Sequence, residues 1–145
     1  MLQRTLMLVV IVLTIWLGLS GAGAPFAPQG AVAGDVKLKF EIYQDSVKEY
    51  RWRLKGADDK VLATAGQGFV AKADCRKSVD RIVNNLDKQK FEVYEDKGKD
   101  YRWRLKASNG QVVASSSAGY ATKADCEKAI DTVKKGAPKA EVSEK

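Results

Sequence analysis

Tyr50-Arg51-Trp52-Arg53-Leu54-Lys55 is written twice in this chain, the second time as Tyr101-Arg102-Trp103-Arg104-Leu105-Lys106, and all six positions are identical. At a period of two, each copy places Tyr, Trp and Leu on one face and Arg, Arg and Lys on the other, the pattern of a half-buried β-strand. A sheet built from such strands has one apolar face and one basic face.

Outward from this stretch the identity continues without gaps. An offset of 51 residues lays Phe40-Glu41-Ile42-Tyr43 on Phe91-Glu92-Val93-Tyr94, and Lys72-Ala73-Asp74-Cys75 on Lys123-Ala124-Asp125-Cys126. A register held over that length identifies an internal duplication. Each unit reads strand, strand, strand, helix. Phe40 and Ile42 share one face of the first strand, with Glu41 and Tyr43 on the other. Turns around Asp45–Lys48 and Asp96–Lys99 lead into the basic strands. Asn109-Gly110 is a strong hairpin signal because both residues tolerate positive φ, and Asp58-Asp59 is its chemically poorer counterpart. Val61–Thr64 and Val112–Ser115 make the third strands, whose inward face the pattern does not assign.

The helices follow Gly68-Phe69 and Gly119-Tyr120. Thr122 can cap the second with Asp125 three residues on, whereas Ala71 stands at the cap of the first and forgoes about 1 kcal/mol. Cys126, Ala129, Ile130 and Val133 lie on one helical face, as do Cys75, Val79, Ile82, Val83 and Leu86. About fifty residues bury little core alone, so the two units are expected to complete one α+β domain with a pseudo-twofold axis and a shared sheet. The expected layout is a first repeat over 34–87, a second over 88–138 and a disordered tail over 139–145. A monomer with this internal symmetry is the expected state.

The sequence Phe-Glu-Ile-Tyr, a turn, Tyr-Arg-Trp-Arg-Leu-Lys, an Asn-Gly turn and Gly-Tyr-x-x-Lys-Ala before a helix resembles the YegP-like repeat family of bacterial proteins. The resemblance implies a βββα unit used in tandem, one antiparallel sheet, and helices exchanged to pack over the partner unit. It implies no activity.

Residues 1–33 read as an export leader. Arg4 is followed by an apolar run from Leu6 to Leu19 and then by small residues. That run has the length of a secretory core and is short for a membrane span. Ala31-Val32-Ala33 and Ala22-Gly23-Ala24 both fit a cleavage pattern, and the first avoids leaving Pro25 at the new terminus. An uncleaved leader would instead tether the domain to a membrane. On either reading the folded part is expected outside the cytoplasm, in the periplasm or beyond.

The formal net charge is +7, and Arg4 is the one charged residue of the leader, so the excess belongs to the folded part. Such a charge draws anionic polymers non-specifically. The chain has no histidine, which removes the commonest general base and metal ligand together. No cofactor, metal site or catalytic constellation is indicated, and the expectation is a non-enzymatic binding or structural module.

The candidate binding residues are Arg51, Arg53, Arg102 and Arg104, which a shared sheet would gather on one face, with Tyr43 and Tyr94 in the same phase. Such a face could hold carboxylate or phosphate bidentately. The competing reading pairs these arginines with Glu41 and Glu92 on the neighbouring strands. Trp52 and Trp103 fall in the phase of Leu54 and Leu105, which favours core packing over stacking on a ligand. Cys75 and Cys126 can be small buried residues, a disulfide across the pseudo-twofold, or reactive thiols at helix N-termini. The implied partner is an anionic envelope polymer or protein. Nucleic acid fits the charge but not the address, and a redox role through the two cysteines is the alternative.

Overall fold

The computed structural model describes residues 36–145, so the leader expected over 1–33 lies outside the described residues. Each repeat forms three antiparallel strands and a helix. The first contributes β1 (Lys39–Gln44), β2 (Tyr50–Lys55), β3 (Val61–Ala65) and α1 (Lys72–Asn85). The second contributes β4 (Lys90–Glu95), β5 (Tyr101–Lys106), β6 (Val112–Ser116) and α2 (Lys123–Gly136). A last strand, β7 (Glu141–Glu144), follows a 3-10 turn over Ala137–Lys139.

All seven strands join one sheet in the order β4-β5-β6-β3-β2-β1-β7. The repeats meet at β3 and β6, which run antiparallel with Thr64 opposite Ser115 and with Ala63–Ser116 and Ala65–Ala114 on either side. Thr64 and Ser115 are equivalent under the 51-residue offset, so the pseudo-twofold axis passes between them. Close approach at this seam explains Gly66, where a Cβ would stand 2.3 Å from the carbonyl oxygen of Val112. Its counterpart Ser117 bridges the seam, donating its hydroxyl to the Val61 carbonyl.

The period-two reading of the strands is correct residue by residue. Trp52, Leu54, Trp103 and Leu105 are buried on the helix side with Phe40 and Ile42. Phe40 meets Trp52 edge-on at 5.3 Å between ring centroids, and Phe91 meets Trp103 at 5.4 Å. Cys75, Val79 and Ile82 of α1 and Cys126, Ile130 and Val133 of α2 close the core from above. The third strands turn Ala63, Ala114 and Ser116 inward.

Two expectations need correction. First, the helices are not exchanged: α1 packs over β1 and β2, and α2 over β4 and β5. The cause is the connection into each helix. Phe69 exchanges backbone hydrogen bonds with Tyr50, and Tyr120 with Tyr101, which pins each helix start beside its own basic strand. Second, residues 139–145 are not a disordered tail. They carry β7, which pairs parallel to β1 with Val142 opposite Phe40, so the sheet is mixed. Lys72 and Arg76 of α1 hold Glu144 at 2.8 and 3.1 Å.

The Asn109-Gly110 hairpin forms as expected, with only Gly110 at positive φ, at 82°. Asn109 instead accepts a hydrogen bond from the Gln111 amide through Oδ1. The register slips by one residue between Leu105 and Lys106, which is how a hairpin with a single left-handed residue joins its strands. Repeat one makes the same turn with Asp59 at φ 59°.

Candidate functional site

The sheet face away from the helices carries the residues singled out in the sequence. Pairing registers place one row straight across it: Ser143, Glu41, Arg53, Thr64, Ser115, Arg104 and Glu92, one from each strand. The pseudo-twofold axis lies at the middle of the row. Two hydroxyls are therefore flanked by two guanidinium groups, and those by two carboxylates. At the usual strand spacing, the backbones of Arg53 and Arg104 stand roughly 14 Å apart.

Every one of the four arginines is already engaged. Arg53 donates to Glu41 through both Nε and Nη2, and Lys55 adds a bond to the other carboxylate oxygen at 2.9 Å. Arg104, through Nε, and Lys106 hold Glu92 at 2.5 and 3.0 Å, both on one carboxylate oxygen. Arg51 binds Asp45 at 2.7 Å, and Arg102 binds Asp96 at 2.6 Å, so each turn is tied to the strand that follows it. Cross-strand pairing with Glu41 and Glu92, the competing reading, holds for Arg53 and Arg104, whereas Arg51 and Arg102 bind the turn aspartates. Tyr43 and Tyr94 lie under the guanidinium groups of Arg53 and Arg104 at 4.8 and 5.1 Å, which fixes each arginine over a ring.

The electrostatics follow from these bonds. Hydrogen bonds from Lys55 and then Arg53 pull the Glu41 carboxyl from 4.5 down to about 2, against burial, which acts the other way. Arg104 and then Lys106 bring Glu92 to about 2. Asp45 and Asp96 are lowered chiefly by Arg51 and Arg102. The carboxylates are thus ionised throughout the physiological range and are poor proton acceptors. The face offers fixed charge and hydrogen-bond donors, without a nucleophile or base poised near neutrality.

The two halves are not equal. Glu41 is buried beneath β7 and is also reached by Lys145 at 3.4 Å, whereas Glu92 sits at the open side of the sheet and is half-buried. Thr64 and Ser115, which complete the centre of the row, were not singled out in the sequence. The available signal was a polar residue between small ones in each third strand, in the phase opposite Ala63 and Ala114.

Cys75 and Cys126 are free, buried and each in the first turn of its own helix. The helices begin over β2 and β5, which β6 and β3 separate in the sheet. Of the three readings open in the sequence, the small buried residue is the one that matches two free thiols in the core. Burial pushes the Cys75 thiol up to about 11 and raises Cys126 as well, the reverse of activation. Trp52 and Trp103 are core residues, about 1% exposed. Among the described residues, no cluster of three or more Cys, Asp or Glu side chains is arranged to hold a metal ion, and no helix is long and apolar enough to cross a membrane.

Comparison with known proteins agrees with this architecture. A UPF0339 protein from the ptx operon 5′ region of Stutzerimonas stutzeri is 36% identical over 106 residues, covering 72% of this chain and 94% of that protein. A UPF0339 protein of Treponema denticola is 51% identical over 55 residues, covering 38% of this chain and 93% of its own length, about one repeat. The solution structure of yegP from E. coli, a protein of unknown function, superposes with a TM-score of 0.67 at 24% identity, over 75% of this chain and 93% of that one. A UPF0339 protein of Shewanella oneidensis gives 0.65 at 17% identity, over 74% and 91%. The family model described as a domain of unknown function, DUF1508, matches residues 45–92 and again 96–144, so its unit ends in the strand after each helix, β4 in one case and β7 in the other. With two matches that take in most of the folded chain, the protein belongs to the DUF1508 family, whose curated relatives carry the name UPF0339.

Proposed function

We propose that this protein is a non-enzymatic binding module that holds an anionic partner across the outer sheet face, centred on Arg53, Thr64, Ser115 and Arg104. The observation that carries this reading is the symmetric row itself. Guanidinium groups fixed over tyrosine rings and anchored by carboxylates lose little freedom on binding, and each still has donors beyond those its carboxylate uses. The hydroxyls between them are small enough to leave a floor on which an extended chain can lie. Strands β2 and β5 supply six cationic side chains to this face, and Arg53 and Arg104 stand on either side of its central hydroxyls. The leader-like segment at residues 1–33 supports an exported location, and hence an envelope polymer or protein as the partner in preference to nucleic acid.

A redox role through Cys75 and Cys126 has less support, because both thiols are buried and neither is activated.

The test is salt elution of the folded protein from immobilised heparin, used as a generic polyanion. The Arg53→Gln/Arg104→Gln double variant should elute at clearly lower salt than the parent. A control removing two exposed helix charges, Lys77→Gln/Lys128→Gln, should shift elution much less. Equal shifts in the two variants would mean that the attraction is only net charge, and the sheet face would lose its assigned role.

A further inference from the structure

The two edges of the sheet start from nearly the same sequence but end differently. Lys39-Phe40-Glu41-Ile42-Tyr43 of β1 and Lys90-Phe91-Glu92-Val93-Tyr94 of β4 differ at one position, Ile to Val. β1 is covered by β7, which aligns Glu141 with Lys39, Val142 with Phe40, Ser143 with Glu41 and Glu144 with Ile42. β4 has no outer neighbour among the described residues. The consequence is visible in burial: Phe40 and Ile42 are fully buried, while Phe91 and Val93 remain partly exposed.

β7 also shows what such an edge accepts. Counted by the 51-residue offset, Val142 occupies the position of Phe91 and Phe40, so β7 follows α2 at the place where β4 follows α1. The fold has thus used the β1 edge to take up an extended segment in parallel, and it presents the same strand again at β4. Beside β4 lies an open groove of about 520 Å³, lined by Val83, Leu86, Gln89, Phe91 and Lys134. The Gln89 side-chain oxygen is buried there without a hydrogen-bond partner.

We propose that the β4 edge is a docking site for an extended acidic-apolar segment of another protein, added in parallel as β7 is added to β1. The segment places an acidic residue opposite Lys90 and an apolar residue opposite Phe91. Main-chain pairing supplies the affinity, and these two side chains supply the register. A second copy of this chain meets like charge or a charge against a ring in two of the registers open to it. Antiparallel pairing of β4 with itself sets Glu92 against Glu92 in one register and Glu95 against Phe91 in the next, and its own β7 is already committed to β1.

The specificity differs from that of the β1 edge at one residue. Glu144 is held by Lys72 and Arg76, and the equivalent positions beside β4 are Lys123 and Glu127, 3.9 Å apart. Glu127 disfavours a second acidic residue in the segment, opposite Val93, which separates the partner's sequence from that of β7.

The test uses the folded protein, isotope-labelled, titrated with a synthetic peptide of its own sequence from Pro138 to Lys145 as the probe. Amide shifts should localise to Lys90–Glu95, and Glu127→Arg should tighten binding by about tenfold by restoring the second cation. Three results would overturn the proposal: shifts confined to β1, meaning displacement of β7; no shifts in either protein; or concentration-dependent protection of β4 without peptide, which would make a second copy the occupant.

Discussion

Trp52 Nε1 donates a hydrogen bond to Ser78 Oγ at 3.2 Å inside the core, and its counterpart Trp103 has Ala129 in place of that serine. Trp103 Nε1 is buried and reaches no acceptor at hydrogen-bond geometry. Its approach to Tyr120 pulls that phenol's pKa down by less than burial raises it. The duplication has therefore kept the indole in both repeats and its partner in one.

Restoring the partner should stabilise the second repeat. Ala129→Ser is expected to raise stability by about 1 kcal/mol, and Ser78→Ala to lower it by about 1–2 kcal/mol, because a buried donor left unpaired costs more than a bond gains. Urea unfolding of both variants checks this, and a loss of stability in Ala129→Ser would show that the site cannot orient a hydroxyl toward the indole.

The turn after β2 holds Asp59 at φ 59°, where repeat two has Gly110. A residue with a Cβ is strained in that conformation, and glycine is not. Asp59→Gly is expected to gain about 1 kcal/mol, since the ion pair it gives up, to Lys55 at 3.9 Å, is exposed on the aspartate side. Thermal unfolding should record the gain, and an unchanged midpoint would mean that the strain is relieved by neighbours.

Acid should unfold this protein through the outer face. The folded-state pKa values of Glu41 and Glu92, both about 2, lie below their usual 4.5. A depressed carboxyl contributes stability that is complete above its unfolded pKa and disappears as pH falls through the folded one. Loss is therefore expected between about pH 4.5 and 2, with Asp45 and Asp96 adding to it at the lower end. The Glu41→Gln/Glu92→Gln variant should show a flatter dependence of unfolding midpoint on pH over that window. A parallel profile would mean that these ion pairs are equally strong in the unfolded chain.

Cys75 and Cys126 should be inert in the native state. Both are fully buried, and burial raises the pKa of each. Alkylation followed by intact mass should proceed only at the rate of unfolding, and both thiols should be modified together in urea. Rapid modification of one thiol in the folded protein would show a local opening of its helix, and would revive the redox reading.

Much of this architecture was legible in the sequence because it is written at short range. Alternation in Tyr50–Lys55 and Tyr101–Lys106 fixes which side chains turn inward, and the hairpin partners lie only a turn away. The Thr122 cap was readable for the same reason: its hydroxyl accepts from the Asp125 amide at 3.1 Å, while Ala71 makes no such bond. The residues of the candidate face were likewise named from their phase, although whether Arg53 would meet Glu41 or remain open for a ligand was not decidable from phase alone.

The sequence by itself determined the duplication, the strand faces and the βββα order, since each follows from periodicity or from contacts between neighbours in the chain. Tertiary structure alone decided where the helices lie, which ends of the sheet are closed, and that Thr64 and Ser115 stand at the centre of the outer face. Those features depend on pairings between distant segments: β3 with β6 across the axis, and β7 with β1 across a hundred residues. Glu141–Glu144 carries too little apolar pattern to announce a strand. It becomes one because the β1 edge offers unpaired backbone groups and because Lys72 and Arg76 receive Glu144, and these conditions exist only once the rest of the sheet has formed.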